Sequence, residues 1–182
     1  WPLLSPAGFL FNVARCGSTL LANMLDAVPG ALTIKESGTV GMLLHRWLRV
    51  ATSEAERRDV QHLLAVTLSE FGRLAIAPYG DAATALLFVK PHSWATLLAA
   101  PLMALFPETP GLFLYRDPFA VVASMLAKPP YQDLRNHPQG EVASLFPSLA
   151  GCPDDLSPAS FYAHLWRSPV EAALALPLGG AW

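Results

Sequence analysis

The sequence predicts an α/β fold with a mostly parallel central sheet of about four to five strands, covered by helices on both faces. Short apolar runs bounded by turn residues are typical of buried strands, and they occur at residues 9–13, 31–35, 86–90 and 112–116. Helical patterns separate these runs, and strands that alternate with helices join through right-handed crossovers into a parallel sheet. Ligands of such sheets bind beyond the carboxyl ends of the strands.

The predicted helices carry apolar residues at intervals of three or four. They are expected at residues 18–27, 53–76, 94–106 and 160–176, the last ending near Pro177, and a further helix begins at Asp117. Asp117 suits an N-cap, and Pro118 suits the first helical position because proline has a fixed φ and no N–H. Between Lys128 and Pro158, six prolines interrupt any long element.

The composition is that of one folded domain over residues 1–182, because 53% of the residues are hydrophobic and only 14% are charged. A net charge of -2 provides no basic surface for neutralising nucleic-acid phosphates, so no nucleic-acid partner is expected.

The chain has no apolar run as long as a membrane span, no secretory leader, and only two cysteines. We therefore expect a cytoplasmic protein without a membrane partner. Because the chain begins without Met and stops at Gly-Gly-Ala-Trp directly after a helical pattern, we also expect a fragment that is truncated at its C-terminus.

The first strand runs into the loop at residues 12–19 and then into a helix, so that backbone N–H groups converge on an anion site. The loop differs from the G-x-x-x-x-G-K-[ST] loop of nucleoside triphosphatases, because Asn12 replaces the first glycine and Ser18 replaces the lysine. Its cation is Arg15, two residues before Gly17. The alternative is a tight turn in which Ser18 only caps the helix.

A second candidate anion site follows the fourth strand. Arg116 ends that strand and Ser124 lies two turns inside the next helix, so a guanidinium fork and a hydroxyl could flank one phosphate. The alternative is a surface pair of Arg116 with Asp117 and a Ser124 that bonds within its own helix.

Together the two segments resemble the sulfotransferase family. Arg15-Cys16-Gly17-Ser18-Thr19 matches its 5′-phosphosulfate loop, in which a basic residue, a small residue and glycine precede two hydroxyl residues. Arg116-Asp117-Pro118, followed after five residues by Ser124, matches its 3′-phosphate motif. The resemblance extends from Gly8 to roughly Trp166. It implies a P-loop NTPase-like three-layer fold, a bacterial-type member or a fragment of one, and 3′-phosphoadenosine-5′-phosphosulfate (PAPS) as the sulfate donor.

The resemblance also implies residue roles. The cofactor-binding residues would be Arg15, Cys16, Gly17, Ser18, Thr19, Leu20, Arg116 and Ser124, with Arg15 also stabilising charge on the oxygen that bridges sulfur and phosphorus. Cys16 is interpreted as a small loop residue, since Ala22 stands where C-x5-R phosphatases carry arginine.

Two strand ends offer a catalytic base to take the acceptor proton. Glu36 follows the second strand, where several branches of the family place a catalytic glutamate. His92 ends a Lys90-Pro91-His92 segment that is similar to the Lys-Thr-His segment of the cytosolic branch. The alternatives are a Glu36 that pairs with Lys35, and a His92 that caps the following helix. Both candidates stay open, with a preference for Glu36.

The expected activity is sulfuryl transfer from PAPS to a hydroxyl or amine of a small-molecule or glycan acceptor. The acceptor pocket is expected from residues 128–158 and the segment after Glu36, because variable loops set specificity. No metal is expected, since no close His/Cys/Asp/Glu cluster appears. One alternative is a P-loop kinase or NTPase-like phosphotransferase, which needs a loop lysine and an acidic metal ligand where Lys90 stands. The other is a non-catalytic nucleotide-binding remnant.

Overall fold

A computed structural model describes residues 5–49, 53–76, 85–129 and 134–176. Within them, four parallel strands form one sheet in the order β2-β3-β1-β4. The strands are β1 (Gly8–Asn12), β2 (Ala31–Lys35), β3 (Leu86–Lys90) and β4 (Gly111–Leu114). The predicted α/β class and parallel sheet are confirmed, with four strands in a P-loop-like three-layer arrangement. Pro130, Pro177 and both chain ends lie outside the described residues.

The helices flank the sheet and connect its strands. They are α1 (Ser18–Asp26), α2 (Gly38–Arg49), α3 (Glu54–Ile76), α4 (Ala99–Leu105), α5 (Pro118–Ala127), α6 (Gln139–Leu145) and α7 (Pro158–Leu174). Short 3-10 segments lie at Ser93–Leu98, Leu134–Asn136 and Pro147–Leu149. The predicted start of α5 is confirmed, since Asp117 is its N-cap and accepts a hydrogen bond from the N–H of Ala120.

Two helical predictions differ from the structure. The single helix expected at residues 94–106 is a 3-10 segment followed by α4, because a continuous α-helix would place the Pro101 ring against the carbonyl of Leu97. Helix α2 was not predicted, since Gly38 and Gly41 weaken its helical pattern. The Val40, Leu44 and Trp47 side chains of α2 are buried in the core with apolar side chains of α3, and this packing stabilises the helix.

The chain direction places the helices on opposite faces of the sheet. The connection from β1 to β2 crosses β3 in one direction across the sheet. The connection from β2 to β3 runs in the opposite direction across the sheet. Right-handed crossovers therefore place α1 on one face and α3 on the other. Phe9 and Phe11 of β1 pack with Leu64 and Leu68 of α3 in the larger apolar cluster.

A polar contact holds β2 against α1. The Thr33 N–H donates to Asp26 Oδ1 at 2.6 Å, and Lys35 Nζ lies 2.5 Å from Asp26 Oδ2. Burial raises the pKa of Asp26, but the hydrogen bonds from Lys35 and Thr33 outweigh it and hold that pKa below its ordinary value.

We predict that Asp26→Asn destabilises the fold at neutral pH by at most about 1 kcal/mol, because it removes a half-exposed ion pair. The folded pKa of Asp26 lies below its unfolded value, so its ionised form stabilises the fold above about pH 4. That contribution is lost as the pH falls through the folded pKa. Urea unfolding at several pH values should therefore show a difference at neutral pH that disappears in acid. Asp59→Asn, at an exposed position of α3, is the control. If the difference in the free energy of unfolding between wild type and Asp26→Asn did not change with pH, the lowered pKa assigned to Asp26 would be wrong.

Candidate functional site

The predicted site residues follow the carboxyl ends of the four strands, which lie at one edge of the sheet because all the strands are parallel. The loop that starts at Asn12 follows β1, and Glu36 follows β2. His92 follows β3, and Arg116 follows β4. The fold therefore brings segments that are distant in sequence to the edge where such sheets bind ligands.

The loop after β1 ends in a helix N-terminus. Gly17 is the N-cap of α1 with a φ of 93°, a left-handed conformation that side chains rarely adopt. A Cβ at Gly17 would meet no atom within 4 Å, so glycine is needed here for its conformation and not for space. The N–H groups of Leu20 and Leu21 bond to the Gly17 carbonyl, whereas those of Ser18 and Thr19 precede the first helical bonds. These two N–H groups form a candidate anion site at the start of α1.

Asn12 anchors this loop from a buried position. Its amide nitrogen donates to the Pro91 carbonyl at 3.2 Å and to the Leu10 carbonyl at 3.3 Å, while its Oδ1 accepts from the Ser18 hydroxyl at 3.3 Å. The end of β1 is thus tied to the segment after β3 and to the start of α1. Because the Ser18 hydroxyl is directed at Asn12, a bound phosphate would meet the Ser18 N–H and the exposed Thr19 hydroxyl. The alternative of a Ser18 cap is wrong, since Gly17 occupies the N-cap.

The two segments that resemble sulfotransferase motifs are in contact. Arg15 Nε donates to Ser124 Oγ at 3.1 Å, and Arg116 Nη1 donates to the Arg15 carbonyl at 3.3 Å. Among the described residues, no carboxylate lies within ion-pair distance of either guanidinium. The proposed pair with Asp117 is absent because that carboxylate caps α5. Two cations at the mouth of two parallel strands suit a ligand with more than one anionic group.

Trp166 of α7 fixes one side of this cluster. Its indole N–H donates to the Arg116 carbonyl at 2.9 Å, which holds the backbone between β4 and α5. The sequence places Trp166 on the apolar face of a helix and gives no signal for this bond, because only the packing of α7 brings the indole to Arg116.

The two candidate bases belong to a second cluster, at the ends of β2 and β3. Lys90 is 2% exposed and forms an ion pair with Glu36 Oε1, while Glu36 Oε2 lies 3.6 Å from His92 Nδ1. The latter contact is too long for a hydrogen bond between nitrogen and oxygen. The His92 ring stacks parallel to Trp94 at a centroid distance of 6.1 Å, and a shallow pocket bordered by α2 contains both candidate bases.

The simpler alternatives for these two residues are not observed. Lys35 forms an ion pair with Asp26, and Glu36 forms an ion pair with Lys90 instead. His92 occupies the N-cap position of the 3-10 segment, but its side chain makes no capping bond. Lys90 is a buried partner of Glu36.

Backbone conformation singles out two of the predicted catalytic residues. Among the described residues, Arg15 and Glu36 are the non-glycine residues with positive φ, at 61° and 47°. Left-handed backbone is unfavourable for side chains of this size and concentrates at functional sites.

The region predicted to form an acceptor pocket contains a cavity of about 480 Å³, within the usual range for small-molecule sites. It is lined by polar and apolar side chains from Leu134–Asn136, from the start of α6, and from the segment leading into α7. These residues are Arg135, His137, Pro138, Gly140, Asp154, Leu156 and Phe161.

Comparisons with known proteins find a distant similarity. No protein-family model matches the chain. Nodulation protein NoeE of Sinorhizobium fredii is 31% identical over 137 residues, which is 64% of this chain and 30% of the relative. The chain therefore spans about a third of the length of that protein. The similarity is weak and is consistent with a sulfotransferase family.

The described residues offer no candidate metal-ion site and no candidate membrane-spanning helix. They contain no group of three or more His, Cys, Asp and Glu side chains placed to hold a metal ion. None of their helices combines the length and apolar character required to cross a membrane.

We predict that Asn12→Ala lowers the free energy of unfolding by about 1–3 kcal/mol, because the Pro91 carbonyl and the Ser18 hydroxyl lose a buried partner. Denaturant unfolding followed by circular dichroism measures this difference. Asn136→Ala, at an exposed position, should stay within about 0.5 kcal/mol of wild type. Equal effects of the two substitutions would show that Asn12 does not anchor the loop.

Proposed function

We propose that the chain binds PAPS and transfers its sulfuryl group to a hydroxyl or amine of a small-molecule or glycan acceptor. The observation that carries this proposal is the contact of Arg15 with both Ser124 and Arg116. The two segments are separated by about a hundred residues, and each on its own fits many anion sites. Because the two segments converge, they offer two adjacent sets of donors to a nucleotide that carries phosphates at both its 3′ and 5′ positions.

Each set of donors suits one end of the cofactor. The N–H groups at the start of α1 and the Thr19 hydroxyl would hold the 5′-phosphosulfate, and Arg116 with Ser124 would hold the 3′-phosphate. Arg15 belongs to the first segment and its guanidinium bonds to Ser124 of the second, so it would lie between the two groups of donors and stabilise the negative charge that develops on the bridging oxygen as the S–O bond breaks. Donors held in place before the reaction need no reorganisation at the transition state.

Glu36 is the proposed base. The acceptor oxygen or nitrogen attacks sulfur in line with the leaving 5′-phosphate, and the base takes the acceptor proton. Lys90 holds Glu36 Oε1, and the positive φ of Glu36 directs a charged residue into the pocket at the cost of backbone strain. His92 is the alternative base, because its Nδ1 faces Glu36 Oε2 and this contact could orient the imidazole.

A phosphotransferase and a non-catalytic remnant are less well supported. The position of the catalytic loop lysine in nucleoside triphosphatases is occupied by Ser18, whose hydroxyl bonds to Asn12. The similarity to NoeE favours the sulfotransferase family over a kinase. A non-catalytic remnant would bind the nucleotide without transferring sulfate, so a sulfate-transfer assay distinguishes it from an enzyme.

We predict that adenosine 3′,5′-bisphosphate binds with higher affinity than adenosine 5′-monophosphate, and that Arg116→Ala removes this preference. Loss of a charge-assisted contact should weaken the bisphosphate about 10- to 100-fold while changing the monophosphate by less than about threefold. Isothermal titration calorimetry measures both affinities.

Arg58→Ala, at an exposed position of α3, is the matched control and should leave both affinities unchanged. If Arg116→Ala weakens the two nucleotides equally, Arg116 does not bind a 3′-phosphate. If ATP with Mg²⁺ binds and the bisphosphate does not, the sulfotransferase proposal is wrong.

We predict that Glu36→Gln lowers the single-turnover rate of sulfate transfer about 10²- to 10⁴-fold while the affinity for the bisphosphate is retained, because a general base contributes to this extent. Glutamine keeps an oxygen that can accept a hydrogen bond from the buried Lys90. A panel of phenols, amines and oligosaccharides with radiolabelled PAPS supplies the assay.

His92→Asn separates the two candidate bases. A larger loss in this variant than in Glu36→Gln would make His92 the base and Glu36 its positioning residue. Wild-type rates in both variants would exclude the cluster from catalysis. Bisphosphate binding without transfer to any acceptor would support the non-catalytic remnant.

A further inference from the structure

A cluster of reactive side chains lies between the Pro147–Leu149 segment and α7, and the proposed sulfate transfer does not use it. Cys152 Sγ lies 3.6 Å from His164 Nε2, and His164 Nδ1 lies 3.3 Å from Ser148 Oγ. Both distances allow hydrogen bonds, given the size of sulfur. A thiol, an imidazole and a hydroxyl in this order form the arrangement of a nucleophile, its base and the group that orients the base.

The hydrogen bonds around Ser148 assign the protons of the imidazole. The single hydroxyl proton of Ser148 is donated to the His164 carbonyl at 2.8 Å, since a carbonyl can only accept. Ser148 Oγ then accepts from the Ser168 hydroxyl at 2.8 Å and from His164 Nδ1. Nδ1 of the neutral ring must therefore carry the proton, which leaves the Nε2 lone pair facing the Cys152 thiol.

Hydrogen bonds between Ser148 and α7, the helix that carries His164, hold the imidazole in position. The Ser148 N–H donates to Ser168 Oγ at 3.1 Å, and both His164 and Ser168 belong to α7, one turn apart. The thiol also lies 3.6 Å from the Ser148 carbonyl, which can accept a hydrogen bond from it but cannot remove its proton. The imidazole can remove the proton and leave a thiolate.

We propose that Cys152 is a nucleophilic thiol with His164 as its base, and that it forms a mixed disulfide with small disulfides of the glutathione class. His164 Nε2 takes the thiol proton, and the Cys152 thiolate attacks one sulfur of the small disulfide. The S–S bond of the reagent breaks as the new S–S bond forms, and the departing thiolate takes the proton from the imidazolium. No further oxidant or reductant is needed.

Access and charge are consistent with this role. Cys152 is half-buried and not in a disulfide, so a small reagent can reach its sulfur. The imidazolium formed beside the sulfur would pair with the thiolate, which makes His164 essential to the reaction.

The test compares the Cys152 thiol of the folded protein with the same thiol in a peptide that spans Gly151 to Leu156. Both are treated with oxidised glutathione, and the mixed disulfide is quantified over time by peptide mass spectrometry. Partial burial alone makes a folded thiol react more slowly than the peptide. We expect Cys152 of the folded protein to react at least about tenfold faster, as activated thiols do.

Two variants assign the cause. His164→Gln, which keeps a side chain able to hydrogen-bond, should lower the rate to that of the peptide or below. Ser148→Ala should lower it less, because the base remains but is no longer oriented. The rate at Cys16, read from the same digests, should stay constant and shows that the variants are folded. A folded wild-type protein that reacts more slowly than the peptide, or a His164→Gln variant that reacts at the wild-type rate, would overturn the proposal.

Discussion

The buried amide of Asn12 is the interaction on which the candidate site depends. It lies at the end of the central strand β1, where a backbone turning into a loop would otherwise leave polar groups without partners. By bonding to the Pro91 carbonyl and the Ser18 hydroxyl, it fixes the distance between the end of β3 and the start of α1. The helix N-terminus and the cluster of candidate bases are thereby held next to each other.

The candidate site concentrates positive charge in a chain whose net charge is -2. Its positive charge is concentrated at one edge of the sheet, where Arg15 and Arg116 lie together without a carboxylate partner among the described residues. Both arginines are exposed, so solvent can screen their charges, and a bound phosphate would supply a counter-charge.

Lys90 illustrates a conflict between stability and function. A buried ammonium is costly unless a counter-ion meets it, and Glu36 meets it only by adopting a left-handed backbone conformation. A glycine would accept that conformation easily but would leave the charge unpaired. The strain at Glu36 is therefore explained by the ion pair, and it is this ion pair that places a carboxylate at the mouth of the pocket.

Sequence alone determined the α/β class, the four strands, the start of α5 and the positions of the two segments that are candidates for anion binding. These features depend on local patterns, namely apolar runs, capping residues and the order of residues in a loop. The 3-10 turn before α4 was also implied locally, since Pro101 would disrupt the middle of one continuous helix over residues 94–106, although the apolar spacing concealed it.

Only the tertiary structure decided which of these residues meet. The bonds of Arg15 to Ser124 and of Trp166 to Arg116, and the pairing of Lys90 with Glu36, join elements that are distant in the chain. Helix α2 belongs to the same group, because packing against α3 stabilises a segment whose glycines disfavour a helix. The linear sequence carries propensity and spacing, whereas partners across the sheet are selected by the order of the strands and the face on which each helix packs.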